Sequence, residues 1–269
     1  MELIKPQIQE QLDHIDPHTL TEADIARYFE VINTHLTPEQ EERIRTPAKV
    51  FPRQHSVLAV HWHPEFVPMP LIRERIDRTF PNKREALIIP TQHNVILEYD
   101  GYAGVEVDCY SRGFNQKVQL LLHFTSERVA EAPVLKAMLA HTFRYRSSQL
   151  FDFIYALTKP NEERLHKAAK ATGADEDLVR FVQAYVRKIQ RMLEEYYEQT
   201  PEESIKNKLL RNYFELLRED FGDPLIDRAQ TFLKAVKKEV KAHFSLRYFY
   251  RTSEIIEEAR ALGGGVVIP

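Results

Sequence analysis

Residues 56–61, SVLAVH, form the first of four short apolar runs that decide the fold. The other three are ALIIP (86–90), AGVEVD (103–108) and KVQLLLH (117–123). Runs this rich in Val, Ile and Leu are typical of strands that are buried on both faces, as in a parallel sheet. The segment PLIRERIDRTF (70–80) predicts a crossover helix between the first two strands. Together they indicate a βαβ unit within an α/β fold.

Helical sequence flanks these strands and divides the chain into four segments. Residues 1–50 predict an N-terminal helical segment, and residues 51–125 hold the βα units. Residues 126–252 predict an all-helical insertion, because apolar residues recur there at three- and four-residue spacing. Residues 253–269 predict a helix, a Gly-rich stop and a strand, so the βα pattern is expected to resume there.

Composition excludes several classes of protein. The chain has 269 residues, of which 43% are hydrophobic and 29% charged, as in ordinary soluble globular proteins. Its 37 basic and 40 acidic residues nearly cancel, which argues against a protein that coats nucleic acid. A single cysteine, Cys109, excludes an internal disulfide and a thiolate zinc site. No signal sequence and no membrane-spanning apolar run are visible, so we expect no membrane association and a cytoplasmic location.

Two histidines follow the first predicted strand. His61 and His63 flank Trp62, and at a strand end residues i and i+2 point to the same side. Two imidazoles in this arrangement can bind one metal ion. Histidines of this spacing are also found simply exposed or packed, so the motif alone leaves both interpretations open.

The other three strands also carry a candidate ligand. His93 follows the second run, Glu106 lies within the third, and His123 ends the fourth. A carboxylate in a buried strand must be paired, bound to metal or neutralised. Taken singly, His93 can be an ordinary loop histidine, Glu106 a member of a structural ion pair, and His123 a core histidine. Because active sites of parallel α/β folds form at the C-terminal ends of strands, their conjunction favours a metal site.

The motifs in this order resemble those of the PHP (polymerase and histidinol phosphatase) superfamily of metal-dependent phosphoesterases. The matching segments are AVHWH (59–63), PTQHN (90–94), GVEV (104–107) and LLLHF (120–124). The family has D-L-H-x-H, T-D-H, G-x-E and a strand-ending His. The resemblance implies a distorted (β/α)7 barrel and hydrolysis of a phosphate ester by a metal-activated water.

The resemblance also implies a role for each candidate ligand. His61 and His63 would share one metal ion, and Glu106 would bridge two ions. His93 and His123 would bind different ions of a cluster of two or three divalent cations, either Zn, Mn or Fe. No catalytic side chain beyond these ligands is implied.

This sequence departs from the family pattern at several positions. Ala59 and Gln92 stand where the family has Asp. ALGGGVVIP (261–269) resembles the family segment that leads into a His-Pro motif and a later Asp-x-His motif, neither of which follows here. We therefore expect an incomplete distorted (β/α)7 PHP-like barrel with a large all-helical insertion. Such a chain is either part of a longer enzyme or a degenerate member of the family.

Three functions remain open on the sequence. The first is a metal-dependent phosphoesterase that acts on a small phosphorylated substrate or a nucleotide. The second is nucleic-acid binding or cleavage through the basic and aromatic segment 234–251, which includes Lys234, Lys237, Lys238 and Lys241. The third is a non-catalytic helical interaction protein on a degenerate barrel. An incomplete barrel exposes sheet edges, which the helical segment or a second copy in an oligomer would cover.

Overall fold

The computed structural model describes residues 15–111, 116–159, 162–241 and 248–269. The chain forms two compact units. The helical unit comprises residues 1–34 and 146–244, and the α/β unit comprises residues 35–145 and 245–269. None of the helices in the described ranges combines the length and apolarity needed to cross a membrane.

Helices and strands are numbered here in chain order. The helices are α1 (Glu22–Ile32), α2 (Pro38–Arg45), α3 (Met69–Thr79), α4 (Ser126–Ala130), α5 (Pro133–Thr158), α6 (Glu162–Thr172), α7 (Glu176–Glu195), α8 (Lys208–Leu216), α9 (Arg218–Phe221), α10 (Asp223–Lys241) and α11 (Thr252–Ala261). The strands are β1 (Ser56–Ala59), β2 (Glu85–Ile88), β3 (Gln92–His93), β4 (Leu97–Tyr99), β5 (Tyr102–Ser111), β6 (Gln116–Thr125) and β7 (Gly265–Val267). Short 3-10 turns cover Tyr197–Gln199 and Glu202–Ser204.

The predicted βαβ unit is confirmed. Strands β1 and β2 pair in parallel, from Ser56 opposite Glu85 to Ala59 opposite Ile88, and α3 connects them. A parallel pair needs such a crossover, because a tight turn can join only antiparallel neighbours. The C-terminal ends of β1 and β2 therefore lie at the same edge, as the sequence predicted.

The remaining strands form a second sheet in the order β3-β5-β6-β7, with β4 also paired to β5. Strands β5 and β6 are antiparallel over ten residue pairs, and β7 is antiparallel to β6. The prediction of parallel pairing was therefore wrong between the third and fourth runs, although β5 also pairs in parallel with β3. The two runs are only eight residues apart, and four residues, 112–115, separate β5 from β6, whereas a parallel crossover needs a dozen or more. Among the described strands no closed barrel is found, so the PHP-like barrel stays a prediction.

Strand β5 separates the apolar core of the α/β unit from a polar face. Alternate residues along a strand point to opposite faces. One set packs into the core with β6, α4, α5 and α11, and its members are Ala103, Val105, Val107 and Cys109. The other set includes the buried acids Glu106 and Asp108. The run predicted as a strand buried on both faces therefore buries carboxylates on one of them.

The helical unit has its own apolar core, in which α7 and α10 contribute most of the buried side chains. Helix α1 joins this core through Tyr28 and Ile32, although it lies more than a hundred residues earlier in the chain. The boundary between the two units falls at residue 146, inside α5, because the first half of that helix packs on the α/β core. The division thus differs from the predicted segment boundaries at 50, 125 and 252.

A buried ion pair joins α1 to α7. The Nζ of Lys188 donates to Asp24 Oδ2 over 2.7 Å, and both side chains are almost completely buried. Burial alone raises the pKa of Asp24, but hydrogen bonds from Lys188 and Thr21 outweigh it and hold the pKa below the ordinary 3.8. The hydroxyl of Tyr213 donates to the other carboxylate oxygen over 3.2 Å. Both oxygens of the buried carboxylate are therefore hydrogen-bonded, which compensates part of the cost of burying its charge.

The substitution Gly104→Ala should destabilise the α/β unit. Gly104 lies on β5 against the chain that leaves β2, and a β-carbon there would lie 2.6 Å from Ile89 Cγ2 and overlap the carbonyl of Pro90. We expect a loss of about 1–3 kcal/mol in the free energy of unfolding, measured by denaturant titration. Gly265→Ala is the control, since its nearest neighbour lies 3.8 Å away. Equal effects of the two substitutions would contradict the close approach at Gly104.

Removing one partner of the Asp24–Lys188 pair should destabilise the helical unit. Lys188→Met leaves the Asp24 carboxylate buried without its cation, and we expect a loss of about 3–5 kcal/mol by denaturant titration monitored by circular dichroism. Because the folded pKa of Asp24 is depressed, its contribution is present above pH 3.8 and is lost as the pH falls through the folded value. Asp24→Asn should flatten this acid dependence. An unchanged acid profile in Asp24→Asn would show that the pair contributes nothing.

Candidate metal centre

The loop after β1 carries His61 and His63 and is tied to the end of β2. Thr91 is fully buried, and its N–H donates to the carbonyl of Trp62 over 3.1 Å. Its hydroxyl accepts a hydrogen bond from the N–H of Trp62 over 3.2 Å. The indole of Trp62 donates to the carbonyl of Ala59 over 3.0 Å, which closes the turn. The residue between the two histidines therefore fixes the loop on which both stand.

The carboxylate of Glu106 lies at the centre of the site. Glu106 sits midway along β5, its backbone is paired with β3 and β6, and its side chain is only 3% exposed. One oxygen, Oε2, lies 2.8 Å from His63 Nε2 and 3.3 Å from His61 Nε2. The other oxygen, Oε1, lies 3.4 Å from His93 Nδ1. Three imidazoles from two different segments of the chain therefore converge on one buried carboxylate.

The charge states of the cluster suit metal binding. Burial alone raises the pKa of Glu106, but its contact with His63 and the neighbouring imidazoles outweigh burial, so the pKa lies below the ordinary 4.5. Burial lowers the pKa of His93, and this outweighs the opposing effects of Asp108 and Glu106. The carboxylate is thus ionised near neutral pH and the imidazole of His93 is neutral. These are the protonation states in which both groups act as metal ligands.

The donors fit a divalent cation. The ligand atoms of His61, His63 and Glu106 all lie within 4.8 Å of one another. Oε2 of Glu106 and Nδ1 of His63 are buried but have no partner of hydrogen-bond geometry, although His63 Nε2 is close to Oε2. Buried polar atoms without partners are rare and need an explanation. A cation among these donors would satisfy the carboxylate oxygen, and two imidazoles with one carboxylate are a common ligand set for Zn, Mn or Fe.

A polar network next to His93 was not predicted. Asp108 is almost buried, and one of its oxygens accepts from Lys117 Nζ over 2.6 Å and from Gln119 Nε2 over 3.2 Å. Its other oxygen accepts from the amide of Asn94 over 3.1 Å. Gln119 Nε2 also lies 3.4 Å from His93 Nδ1. The alternation of Glu106 and Asp108 on one strand was the signal that could have revealed this network.

His123 has a different environment from the other four predicted ligands. Its Nε2 lies 3.0 Å from the carbonyl oxygen of Val60, one residue before His61. Burial lowers the pKa of His123, and the contact with this carbonyl opposes the effect. The neutral ring can donate to the carbonyl and so hold the loop that carries His61. The structure thus brings His61, His63 and His93 to Glu106. His123 instead contacts the backbone carbonyl of Val60.

The two residues that depart from the family motifs lie beside the cluster. Ala59 ends β1, two residues before His61, and its carbonyl accepts from the indole of Trp62 and from the N–H of Ile89. Gln92 precedes His93 on β3, and its Oε1 is buried without a hydrogen-bond partner. An amide at this position can orient a neighbouring group by hydrogen bonding, but it carries no charge to the site.

The lysines proposed to contact nucleic acid lie on one helix. Lys234, Lys237, Lys238 and Lys241 are spaced along the second half of α10. Lys234 and Lys237 line a cleft of the helical unit. Residues 242–247 of the basic and aromatic segment lie outside the described residues, and residues 248–251 belong to the α/β unit.

Comparison with known proteins gives no assignment. No protein-family model matches this chain, and no curated protein or solved structure is significantly similar to it.

Proposed function

We propose that this chain is a metal-dependent phosphoesterase whose site is built around Glu106. The observation that carries the proposal is the convergence of three imidazoles on one buried carboxylate. A purely structural ion pair would leave fewer polar atoms without partners than the two found in this cluster. The class of substrate is a phosphate ester, as the resemblance of the four motifs implies.

The two oxygens of Glu106 face different imidazoles, which suits a bridging carboxylate. His61 and His63 with Oε2 would hold one Zn, Mn or Fe ion, and His93 beside Oε1 is the first donor for a second ion. A divalent cation supplies a Lewis acid that polarises a phosphoryl oxygen and makes water nucleophilic at neutral pH.

The chain's own residues prepare the site for this chemistry. Glu106 provides a fixed negative charge, and burial keeps it from being screened by water. His93 stays neutral because burial lowers its pKa, so its ring nitrogen can bind a cation or accept a proton. Asp108 pairs with Lys117 and orders Gln119, which in turn lies next to His93. Such surrounding hydrogen bonds hold ligand rings in one orientation.

The single cysteine is a poor alternative nucleophile. Cys109 points into the apolar core from the opposite face of β5, and burial raises the pKa of its thiol to about 11. A thiol of this pKa is protonated at neutral pH, and only the thiolate is strongly nucleophilic. The arrangement therefore favours water over a covalent cysteine intermediate.

Metal binding should depend on the cluster around Glu106. Protein purified, stripped with chelator and reloaded with Zn or Mn should retain at least one ion per chain by elemental analysis, and binding should raise the midpoint of thermal unfolding. His63→Ala and Glu106→Gln should each lose this ion. Gln119→Ala, which leaves every proposed ligand in place, should weaken binding by about 10–100-fold.

His166→Ala is the matched control, since it removes an exposed imidazole on α6 in the helical unit. Its metal content should equal that of the wild type. Retention of the full metal content by both His63→Ala and Glu106→Gln would contradict the proposed centre.

Hydrolysis should require the same residues. With p-nitrophenyl phosphate and bis(p-nitrophenyl) phosphate as test substrates, we expect release of nitrophenol that stops after chelation and returns with Zn, Mn or Fe. Glu106→Gln should reduce the rate to background, because the variant keeps the shape of the side chain but removes its charge. Activity that persists after exhaustive chelation would refute metal dependence. Metal binding without hydrolysis of any phosphate ester would retain the centre but refute the phosphoesterase.

A further inference from the structure

A second candidate site lies wholly in the helical unit. A cleft of about 620 Å³ is lined mainly by α8 and α10, and one residue of α5, Phe153, also belongs to its lining. Its lining comprises Phe153, Asn207, Lys208, Arg211, Glu215, Arg218, Asp227, Gln230, Thr231, Leu233, Lys234 and Lys237. Small-molecule sites typically occupy about 300–1,000 Å³, so the cleft is of a size to hold one metabolite.

The lining is strongly cationic. It holds five cationic side chains and two carboxylates, which gives a net charge of +3. Both carboxylates are already paired with Arg218. Its Nε lies 2.7 Å from Glu215 Oε2, and its Nη2 lies 2.8 Å from Asp227 Oδ1. The other cations are Lys208 and Arg211 on α8 and Lys234 and Lys237 on α10. The excess positive charge is therefore contributed by both walls of the cleft.

The walls are held together by a side chain that spans them. Gln230 on α10 donates from Nε2 to the carbonyl of Arg211 over 2.7 Å and to Glu215 Oε1 over 3.0 Å, both on α8. Thr231 donates its hydroxyl back to the carbonyl of Asp227 over 2.8 Å. These bonds fix the separation of the two cationic walls before any ligand enters, which lowers the entropic cost of binding.

One polar atom of the lining lacks a partner. Asn207 precedes α8, and its Oδ1 is buried without a hydrogen bond. This atom is itself buried, so it offers a ligand no exposed acceptor. Phe153 and Leu233 belong to the same lining but are only 3% and 4% exposed. The cleft therefore offers a ligand mainly its charged side chains.

We propose that this cleft binds a small ligand carrying two or more linked phosphates. Arginine and lysine on two facing helices can contact successive phosphates, and charge-assisted hydrogen bonds to phosphate are among the stronger polar contacts. The site is independent of the metal centre in the α/β unit, and it does not require the chain to be a phosphoesterase.

The lining favours a small polyphosphate over a nucleic-acid backbone. A single-stranded backbone is bound along an extended basic track with exposed aromatic rings on which bases stack. The described lining has one aromatic residue, Phe153, which is only 3% exposed.

The test is calorimetric titration of the full chain with ATP, inorganic triphosphate and AMP. EDTA is present to chelate divalent cations, so that no ligand binds through an ion at the proposed metal centre. ATP and triphosphate should bind with one ligand per chain, and AMP should bind at least about tenfold more weakly because it offers a single phosphate. The double variant Arg211→Gln/Lys234→Gln should weaken ATP binding by at least about tenfold. Both side chains are exposed, so the variant should fold, and its thermal unfolding checks this.

The matched control is Lys170→Gln/Arg180→Gln, which removes the same charge from exposed positions of α6 and α7 outside the cleft. It should change ATP affinity by less than about twofold. The proposal is overturned by an absence of ATP binding at millimolar concentration, by equal losses in the two double variants, or by equal affinity for AMP and ATP. A single-stranded oligonucleotide of about 12 nucleotides that binds more tightly than ATP, with the same loss in Arg211→Gln/Lys234→Gln, would overturn it in favour of a nucleic-acid surface.

Discussion

The buried carboxylate of Glu106 is the constraint on which the organisation of the α/β unit depends. An isolated charge in a strand interior is very costly, so the surrounding chain must supply compensating groups. His61 and His63 reach it from the loop after β1, and His93 reaches it from the neighbouring strand β3. That approach requires the chain leaving β2 to lie directly against β5, and Gly104 is the residue that admits it. The close packing of two backbones therefore positions the ligands of the proposed metal centre.

Strand β5 also couples this site to the stability of the unit. The residues that alternate with Glu106 and Asp108 are completely buried in the apolar core, which fixes the register of the strand. A shift of one residue would place the carboxylates in the core and the valines in the site. The geometry of the proposed centre is thus maintained by apolar packing on the opposite face of the same strand. The helical unit has a separate core, and its Asp24–Lys188 pair and basic cleft depend on contacts within that unit.

The sequence predicted the local structure and the convergence of four polar side chains well, because both depend on short patterns. All four apolar runs are strands, and His61, His63, His93 and Glu106 meet as their positions at strand ends and within a strand suggested. Strand direction was harder, since an apolar run has the same composition in parallel and antiparallel sheets. The short connection between the third and fourth runs, residues 109–116, indicated the antiparallel direction, because it is too short for a parallel crossover. The contact of His123 with Val60 joins residues far apart in the chain, and no local pattern encodes it.

The most direct test of this account is a crystal structure of the chain grown with Mn or Zn, with anomalous diffraction measured at the absorption edge of the metal. We expect an anomalous peak within about 2.0–2.2 Å of Glu106 Oε2 and of the ring nitrogens of His61 and His63. We also expect His93 to face the same cluster from the side of the other carboxylate oxygen. A structure with the metal bound elsewhere, or with Glu106 paired only to protonated histidines at saturating metal, would contradict it.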